Sequence, residues 1–266
     1  MDLTGLVAAF RSRLDGALIA LDFDGTLAPI VADPAASRPV AGAIEILTAL
    51  ANASAQIAVI TGRDARTVIE LGGLAVIPRI KILGLYGVES WSEGQLTTVE
   101  TPPAITALRS RLPAVVSRHG TDDGVWIEDK RLSLVVHARQ AADPAAQLDL
   151  VRGPVGVLAA ELGMEIHDGR DVLEVRLPGF DKGSALRRLV TEVRASAVLF
   201  AGDDVGDLPA FEAVRDLRSG GLSAWSVAAA SAEAPEVQAA ADVHVAGPAA
   251  VVDLLARIAG REPVSP

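Results

Sequence analysis

Residues 17–27 read ALIALDFDGTL, and no other stretch constrains this chain as strongly. Five apolar residues, Ala17 to Leu21, stop at Asp22. Phe23 separates that acid from a second one, Asp24, and Gly25-Thr26 follows. A short apolar run bounded by a Gly turn reads as a strand buried on both faces, the kind found in parallel sheets. In an open α/β sheet, ligands bind just outside the carboxyl ends of such strands. Two carboxylates one residue apart at that point crowd like charges, and a cation or a shared proton relieves the cost. The pair points to a hard metal ion and to acyl-phosphate chemistry.

Similar apolar runs recur at 56–61, 80–85, 197–202, 223–228 and 243–245, and helical patterns fall near 43–53, 64–71, 182–193, 207–214 and 248–259. This alternation predicts an α/β fold with a doubly wound, mostly parallel sheet. Leu3, Leu6, Val7, Phe10 and Leu14 add an amphipathic helix at the start. Residues 104–177 read differently: helix, strand, strand, helix, strand, strand, with hairpin turns at 129–131 and 168–171. Pro102-Pro103 and Pro178-Gly179 mark hinges at its edges. The expectation is a catalytic core of residues 1–103 and 178–266 with an inserted α/β domain, 104–177. The Ala-rich stretch 228–241 reads as helix and loop rather than linker.

The net charge of −10 and pI near 4.9 argue against a nucleic-acid partner. The absence of Cys excludes disulfides, thiolate catalysis and Cys-based zinc sites. His119, His167 and His244 are scattered and suggest no metal cluster. Asp2 stands where a signal peptide has a basic start, and no apolar stretch is long enough to span a bilayer. A cytoplasmic monomer without membrane partners is expected. Only three of the 24 basic residues are lysines, Lys81, Lys130 and Lys182, against 21 arginines. A lysine kept in so biased a chain hints at a place where a compact ammonium is needed rather than a planar fork.

Asp22, at the strand end, is the better-held nucleophile, and Asp24 is placed to protonate the leaving oxygen and then activate water. The run 197–201 leads into Gly202-Asp203-Asp204-Val205-Gly206-Asp207, three more acids at another strand end. Mg²⁺ takes one or two carboxylates plus water and phosphate oxygens. Asp22 and Asp203 are its natural side-chain ligands, and the carbonyl of Asp24 its backbone ligand. Asp207 could hold a metal-bound water or simply cap a helix, with Asp204 one step removed. Thr61-Gly62-Arg63 ends another strand and offers a hydroxyl and loop N–H groups to a phosphate. Lys182 can pair with the nucleophile and the phosphate. Tyr86 and Glu89 follow the strand 80–85, where flanking the cleft and a structural role are equally good readings.

In the inserted region, Leu132, Leu134, Val136 and Ala138 alternate with Ser133, Val135, His137 and Arg139. Period two sends these sets to opposite faces. One face packs on helices, while the other carries Glu128, Lys130, His137, Arg139, Glu174 and Arg176. A hinged polar face of this kind suits substrate recognition, although an ordinary solvated sheet face has the same pattern.

With these pieces in order, the chain resembles the haloacid dehalogenase superfamily of phosphatases. Asp22 to Thr26, Thr61, Lys182 and Gly202 to Asp207 look like its four ordered motifs, and the insertion looks like its α/β cap. Within that superfamily it resembles the trehalose-6-phosphate phosphatase family over roughly residues 17–210. Glu128-Asp129-Lys130 followed by His137-Ala138-Arg139 is similar to that family's E-x-K…H-x-R signature, and Val172 to Arg176 to its later cap motif. Tyr86 stands where that family often has His, and Gly206 where Thr is common. The resemblance implies a Mg²⁺-dependent phosphatase that converts trehalose 6-phosphate to trehalose and phosphate, with Glu128, Lys130 and Glu174 as substrate contacts. Another sugar-phosphate phosphatase or a phosphomutase remains the alternative. A receiver-type phosphoacceptor domain would be much shorter, lack a cap and have no need of Asp24.

Overall fold

The computed structural model describes residues 3–119, 124–169, 171–229 and 235–263. The chain divides into two compact units, Met1–Thr98 with Asp181–Pro266, and Val99–Phe180. The first unit begins α1 (Leu3–Arg11), β1 (Ala17–Leu21), α2 (Ala43–Asn52), β2 (Gln56–Ile60), α3 (Ala65–Gly72), β3 (Lys81–Gly84), β4 (Glu89–Ser92) and β5 (Gln95–Thr98). The second holds α4 (Pro103–Arg118), β6 (Trp126–Asp129), β7 (Ser133–His137), α5 (Pro144–Glu161), β8 (Glu165–Gly169) and β9 (Val172–Arg176). The first unit then resumes with α6 (Lys182–Val193), β10 (Ala197–Gly202), α7 (Leu208–Ser219), β11 (Ser223–Ala229), α8 (Pro235–Ala240), β12 (Val243–Val245) and α9 (Gly247–Ile258).

The large sheet runs β12-β11-β10-β1-β2-β3-β4-β5. The strands from β12 to β3 are parallel, and β4 and β5 pair antiparallel at one edge. From β1 the chain winds out to β2 and β3. After the second unit it returns to the other side of β1 with β10, β11 and β12. The winding direction therefore reverses between β1 and β10, which makes their carboxyl ends the switch point where α/β folds bind ligands.

Every residue of β1 and β10 is buried. Alternate positions feed two cores. Ile19, Leu21 and Leu199 pack with Leu6, Phe10, Leu47, Val68 and Leu255. On the opposite face, Leu18, Ala20, Val198 and Phe200 pack with Leu186, Leu189, Phe211 and Val214. A strand covered on both faces has no polar position to spare, so the first polar residue after each run marks where the strand leaves the core. The register Leu21↔Ala201 brings Asp22 and Gly202 out side by side, and the Asp22 N–H donates to the Ala201 carbonyl (2.9 Å).

One element is absent from the sequence reading: the β4–β5 hairpin. Its two-residue turn is Glu93-Gly94, with φ of 50° and 81°. Positive φ at both central residues gives the mirror-image turn that suits the twist of hairpin strands. β3 is also shorter than the apolar run 80–85, because Leu85 and Tyr86 both adopt left-handed backbone (φ 48° and 58°). The Ala-rich stretch resolves into the end of β11 and α8, with residues 230–234 outside the described residues. The turn expected at 168–171 includes residue 170, which also lies outside them.

In Val99–Phe180 an antiparallel sheet, β6-β7-β9-β8, packs with α4 and α5. The register pairs Trp126 with His137, Val135 with Glu174 and Ser133 with Arg176. Trp126, Glu128, Ser133, His137, Glu174 and Arg176 therefore share one face. The other face carries Ile127, Leu134, Val136, Leu173 and Val175. Leu108 and Leu112 in α4 and Val151 and Val155 in α5 are among the buried apolar residues of this unit's helices.

Candidate active site

The site begins where β1 ends. Phe23 is fully buried, and its carbonyl accepts from the N–H groups of Leu27 and Ala28 (both 2.9 Å), closing a tight turn. Gly25 sits in this turn with φ of 74°, and a Cβ there would lie 1.9 Å from the Asp203 carboxylate. Thr26 then donates its hydroxyl to the same carboxylate (3.1 Å). Gly25-Thr26 thus locks the acid at the end of β10 against the loop after β1. Gly202 has the matching role on the other side: a Cβ there would lie 2.2 Å from the Asp207 carboxyl carbon. Asp207 reaches back under it to accept from the Asp203 and Asp204 N–H groups (2.9 and 3.1 Å).

Lys182 is the first residue of α6, whose N-cap is Asp181, accepting from the Ser184 N–H (2.7 Å). A cation at a helix N-terminus opposes the macrodipole. It is held instead by Asp207 (2.7 Å), Asp22 (2.9 Å) and Asp204 (3.7 Å), and is only 3% exposed. Burial works against the charge on Lys182, yet these three acids outweigh it and raise its pKa well above the ordinary lysine value, so the ammonium persists. Burial pushes Asp22 up to about 7; Asp204 and Asp203 add to the rise and Lys182 opposes it. Asp203 also rises to about 7, through burial and the neighbouring Asp207 and Asp204. Burial likewise drives Asp207 upward against the pull of Lys182.

Three carboxyl groups thus face one ammonium, with Asp203 as a fourth acid beside them, and all but Asp204 are buried. Asp22, Asp204 and Asp207 each offer a carboxylate oxygen within 4.8 Å of the other two. An all-oxygen, charge-deficient set of this kind fits a hard divalent cation. Asp203, expected as a ligand, is not in that group: its carboxylate turns to Thr26. Asp204, expected one step away, belongs to the group as its exposed member.

Asp24 faces another partner. Arg63 grips it in bidentate fashion, Nε to Oδ2 (2.5 Å) and Nη2 to Oδ1 (2.7 Å), and the Ser37 hydroxyl donates to Oδ1 (3.1 Å). Arg63 also donates to the Pro34 carbonyl (2.8 Å). The sequence reading gave Arg63 no role of its own. Its signal was its place directly after Thr61-Gly62 at a strand end, hidden among 21 arginines. Thr61 is buried, and its hydroxyl oxygen accepts from the Arg63 N–H (3.2 Å), leaving its own proton without an acceptor among the described residues. Glu89 caps α3 through the Ala65 N–H (2.8 Å), and Tyr86 packs its hydroxyl against Gly62.

Asp22, Asp203, Asp207 and Lys182 therefore converge at the β1/β10 switch point, with Asp24 and Thr61 linked through Arg63. In the second unit, Glu128, Lys130 and Glu174 belong to one polar face. Glu128 meets His137 (2.9 Å) and Lys130 (3.8 Å), and Glu174 accepts from the Ser133 hydroxyl (2.6 Å).

A family model described as trehalose-phosphatase matches residues 20–248. The trehalose-phosphate phosphatase of Mycobacterium avium (strain 104) is 35% identical over 209 residues, covering 73% of this chain and 50% of that protein. The protein of the same name from Mycobacterium leprae (strain TN) is 33% identical over 220 residues, covering 76% and 48%. The chain spans about half the length of the curated relatives it matches. A solved structure of Aspergillus fumigatus trehalose-6-phosphate phosphatase superposes with a TM-score of 0.78 at 27% identity, covering 98% of both chains. No helix among the described residues is long and apolar enough to cross a membrane. With a family model spanning most of its length and relatives that agree with it, the chain belongs to the trehalose-phosphatase family.

Proposed function

We propose that this chain is a Mg²⁺-dependent phosphoric monoester hydrolase that converts trehalose 6-phosphate to trehalose and phosphate through an aspartyl-phosphate on Asp22. One observation carries the reading. A buried strand-end carboxylate lies 2.9 Å from a buried ammonium and within ligand reach of Asp204 and Asp207.

Asp22 attacks phosphorus, forming a carboxylate–phosphorus bond as the bond to the sugar oxygen breaks. Asp24 gives its proton to that departing oxygen, then takes one from a water whose oxygen attacks phosphorus and releases Asp22. Before it can act as an acid, Asp24 has to give up part of its grip on Arg63, since both its oxygens are engaged. Lys182 holds Asp22 in place and faces the charge of the phosphoryl group. The Thr61 hydroxyl, which accepts from the Arg63 N–H, keeps its proton for the same need. Asp22, Asp204 and Asp207 are the side chains to hold Mg²⁺. When bound, the ion offsets negative charge on the carboxylates and the phosphoryl oxygens. The all-oxygen donor set and the charge deficit support that choice.

In this reading Val99–Phe180 serves as the cap. Glu128, Lys130 and Glu174 are its sugar contacts, two acceptors and a donor suited to a polyhydroxylated substrate. A cytoplasmic monomer is the simplest setting for such an enzyme.

The test is phosphate release from a panel of sugar phosphates after exhaustive chelation, with and without added Mg²⁺. Trehalose 6-phosphate should be the best substrate, by at least about tenfold in kcat/KM, and only with the ion restored. A different best substrate would overturn the sugar assignment. Full activity after chelation would overturn the metal.

A further inference from the structure

The polar face of Val99–Phe180 also carries an aromatic surface. Aromatic side chains are scarce here, with three Trp, one Tyr and five Phe in 266 residues. Trp225 is buried and Trp91 half-buried, but Trp126 is 44% exposed. Trp126 pairs across the ladder with His137, and the two rings stack with centroids 4.0 Å apart and planes within 2°. The His137 ring is fixed in turn by Glu128 (2.9 Å). One face of the indole is thus covered by an immobilised imidazole, while the residue keeps 44% of its surface exposed.

A cross-strand aromatic pair stabilises a sheet, which accounts for the stack. It does not account for a large indole lying open on this face while the smaller Ile127 beside it takes the buried one. A rigid aromatic plane presents a negative π face to C–H groups at little cost in conformational entropy. One side of a pyranose ring is a plane of C–H groups, and its rim carries hydroxyls. Glu128, Lys130 and Glu174, on the same sheet face, are acceptors and a donor for such a rim.

We propose that Trp126, braced by His137, is a specificity-determining residue that stacks on a hexopyranose ring of the substrate while Glu128, Lys130 and Glu174 read its hydroxyls. This rests on the sugar-phosphate reading of the Asp22 site. It adds a residue and a mode of recognition that hydrogen bonding alone does not supply.

The experiment compares the full chain with Trp126→Leu and Trp126→Phe, on trehalose 6-phosphate and on p-nitrophenyl phosphate. Leu keeps apolar bulk but has no π face, whereas Phe keeps the face. Trp126→Leu should raise KM and lower kcat/KM for the sugar ester about tenfold, the factor that about 1.4 kcal/mol makes, with a smaller loss on the aryl ester. Trp126→Phe should recover most of it. In parallel, free trehalose should protect the wild-type tryptophan fluorescence from iodide quenching, and should not do so in Trp126→Leu. Equal losses on both esters, a Leu variant equal to wild type, or a Phe variant no better than Leu would overturn the proposal. If the wild type hydrolyses only the aryl ester, the sugar assignment of the Asp22 site has failed. The quenching measurement then decides Trp126 by itself, and no protection by trehalose or glucose would overturn its role.

Discussion

Asp22 stands between two opposing demands. Burial drives it toward the neutral acid, while a nucleophile has to be ionised, and Lys182 at 2.9 Å pulls it that way. Asp22→Asn removes the attacking oxygen with almost no change of shape, so phosphate release should vanish while the unfolding midpoint stays near that of wild type. In the proposed mechanism Asp24 has a separable task. Asp24→Asn should lose about 10²–10⁴-fold on a sugar ester, the usual worth of a positioned proton donor. The loss on p-nitrophenyl phosphate should be smaller, since that leaving group departs without protonation. Arg63→Gln tests the grip on Asp24, and its kcat should fall with the same leaving-group dependence. An equal fall on both esters would make Arg63 a structural residue only. These residues differed in how readable they were. Asp22 and Lys182 stood out because strand ends and rare lysines are visible in one dimension. The Arg63 clasp was not, because it joins positions 39 residues apart in sequence. Nor could the capture of the Asp203 carboxylate by Thr26 be seen, because it joins positions 177 residues apart.

At the scale of elements, the two packed layers on either side of β10 set how firmly the site is held. Phe200 in β10 and Phe211 in α7 are fully buried and meet edge to face, with ring centroids 5.9 Å apart. Phe211→Ala should therefore cost about 3–5 kcal/mol by denaturant unfolding. A cost below 1 kcal/mol would mean that α7 contributes little to the carboxyl end of β10. The apolar runs located β1, β2, β10 and β11 directly, because a strand buried on both faces leaves a continuous hydrophobic signature. The β4–β5 hairpin left no such mark. β5 is exposed at every residue, and its turn is Glu-Gly rather than the Asn-Gly or Asp-Gly that usually announces the geometry. In the polar sheet of Val99–Phe180, strand parity placed Glu128, His137 and Glu174 on one face before any register was known. The stacking of Trp126 on His137 needed the β6–β7 pairing.

At the scale of the whole molecule, charge governs how the fold responds to its surroundings. If the acid cluster is a cation site, Mg²⁺ should raise the melting temperature, by an amount equivalent to about 2.7 kcal/mol at a hundred times its dissociation constant. Asp204→Asn should shrink that gain without lowering the ion-free melting point, since this side chain is exposed. Acid should act through a different group. Burial of Asp242 favours its neutral form, but the hydrogen bonds from Arg218 and Ser226 outweigh this and depress its pKa. A depressed carboxyl binds fewer protons folded than unfolded, so its contribution is complete above the ordinary value of 3.8 and fades as pH falls through the lower folded value. The urea midpoint of the wild type should therefore drop more between pH 5 and pH 3 than that of Asp242→Asn, at pH values chosen to bracket an ordinary Asp pKa of about 3.9. An equal drop would remove Asp242 from the acid response. The central claim, that Asp22 carries a phosphoryl group from trehalose 6-phosphate to water, is met most directly by phosphate release from that ester. Wild type and Asp22→Asn are to be measured side by side at saturating Mg²⁺. The account predicts steady release by the wild type and none above background by the variant. Release by the variant at a rate near wild type, or none by either protein, would contradict it.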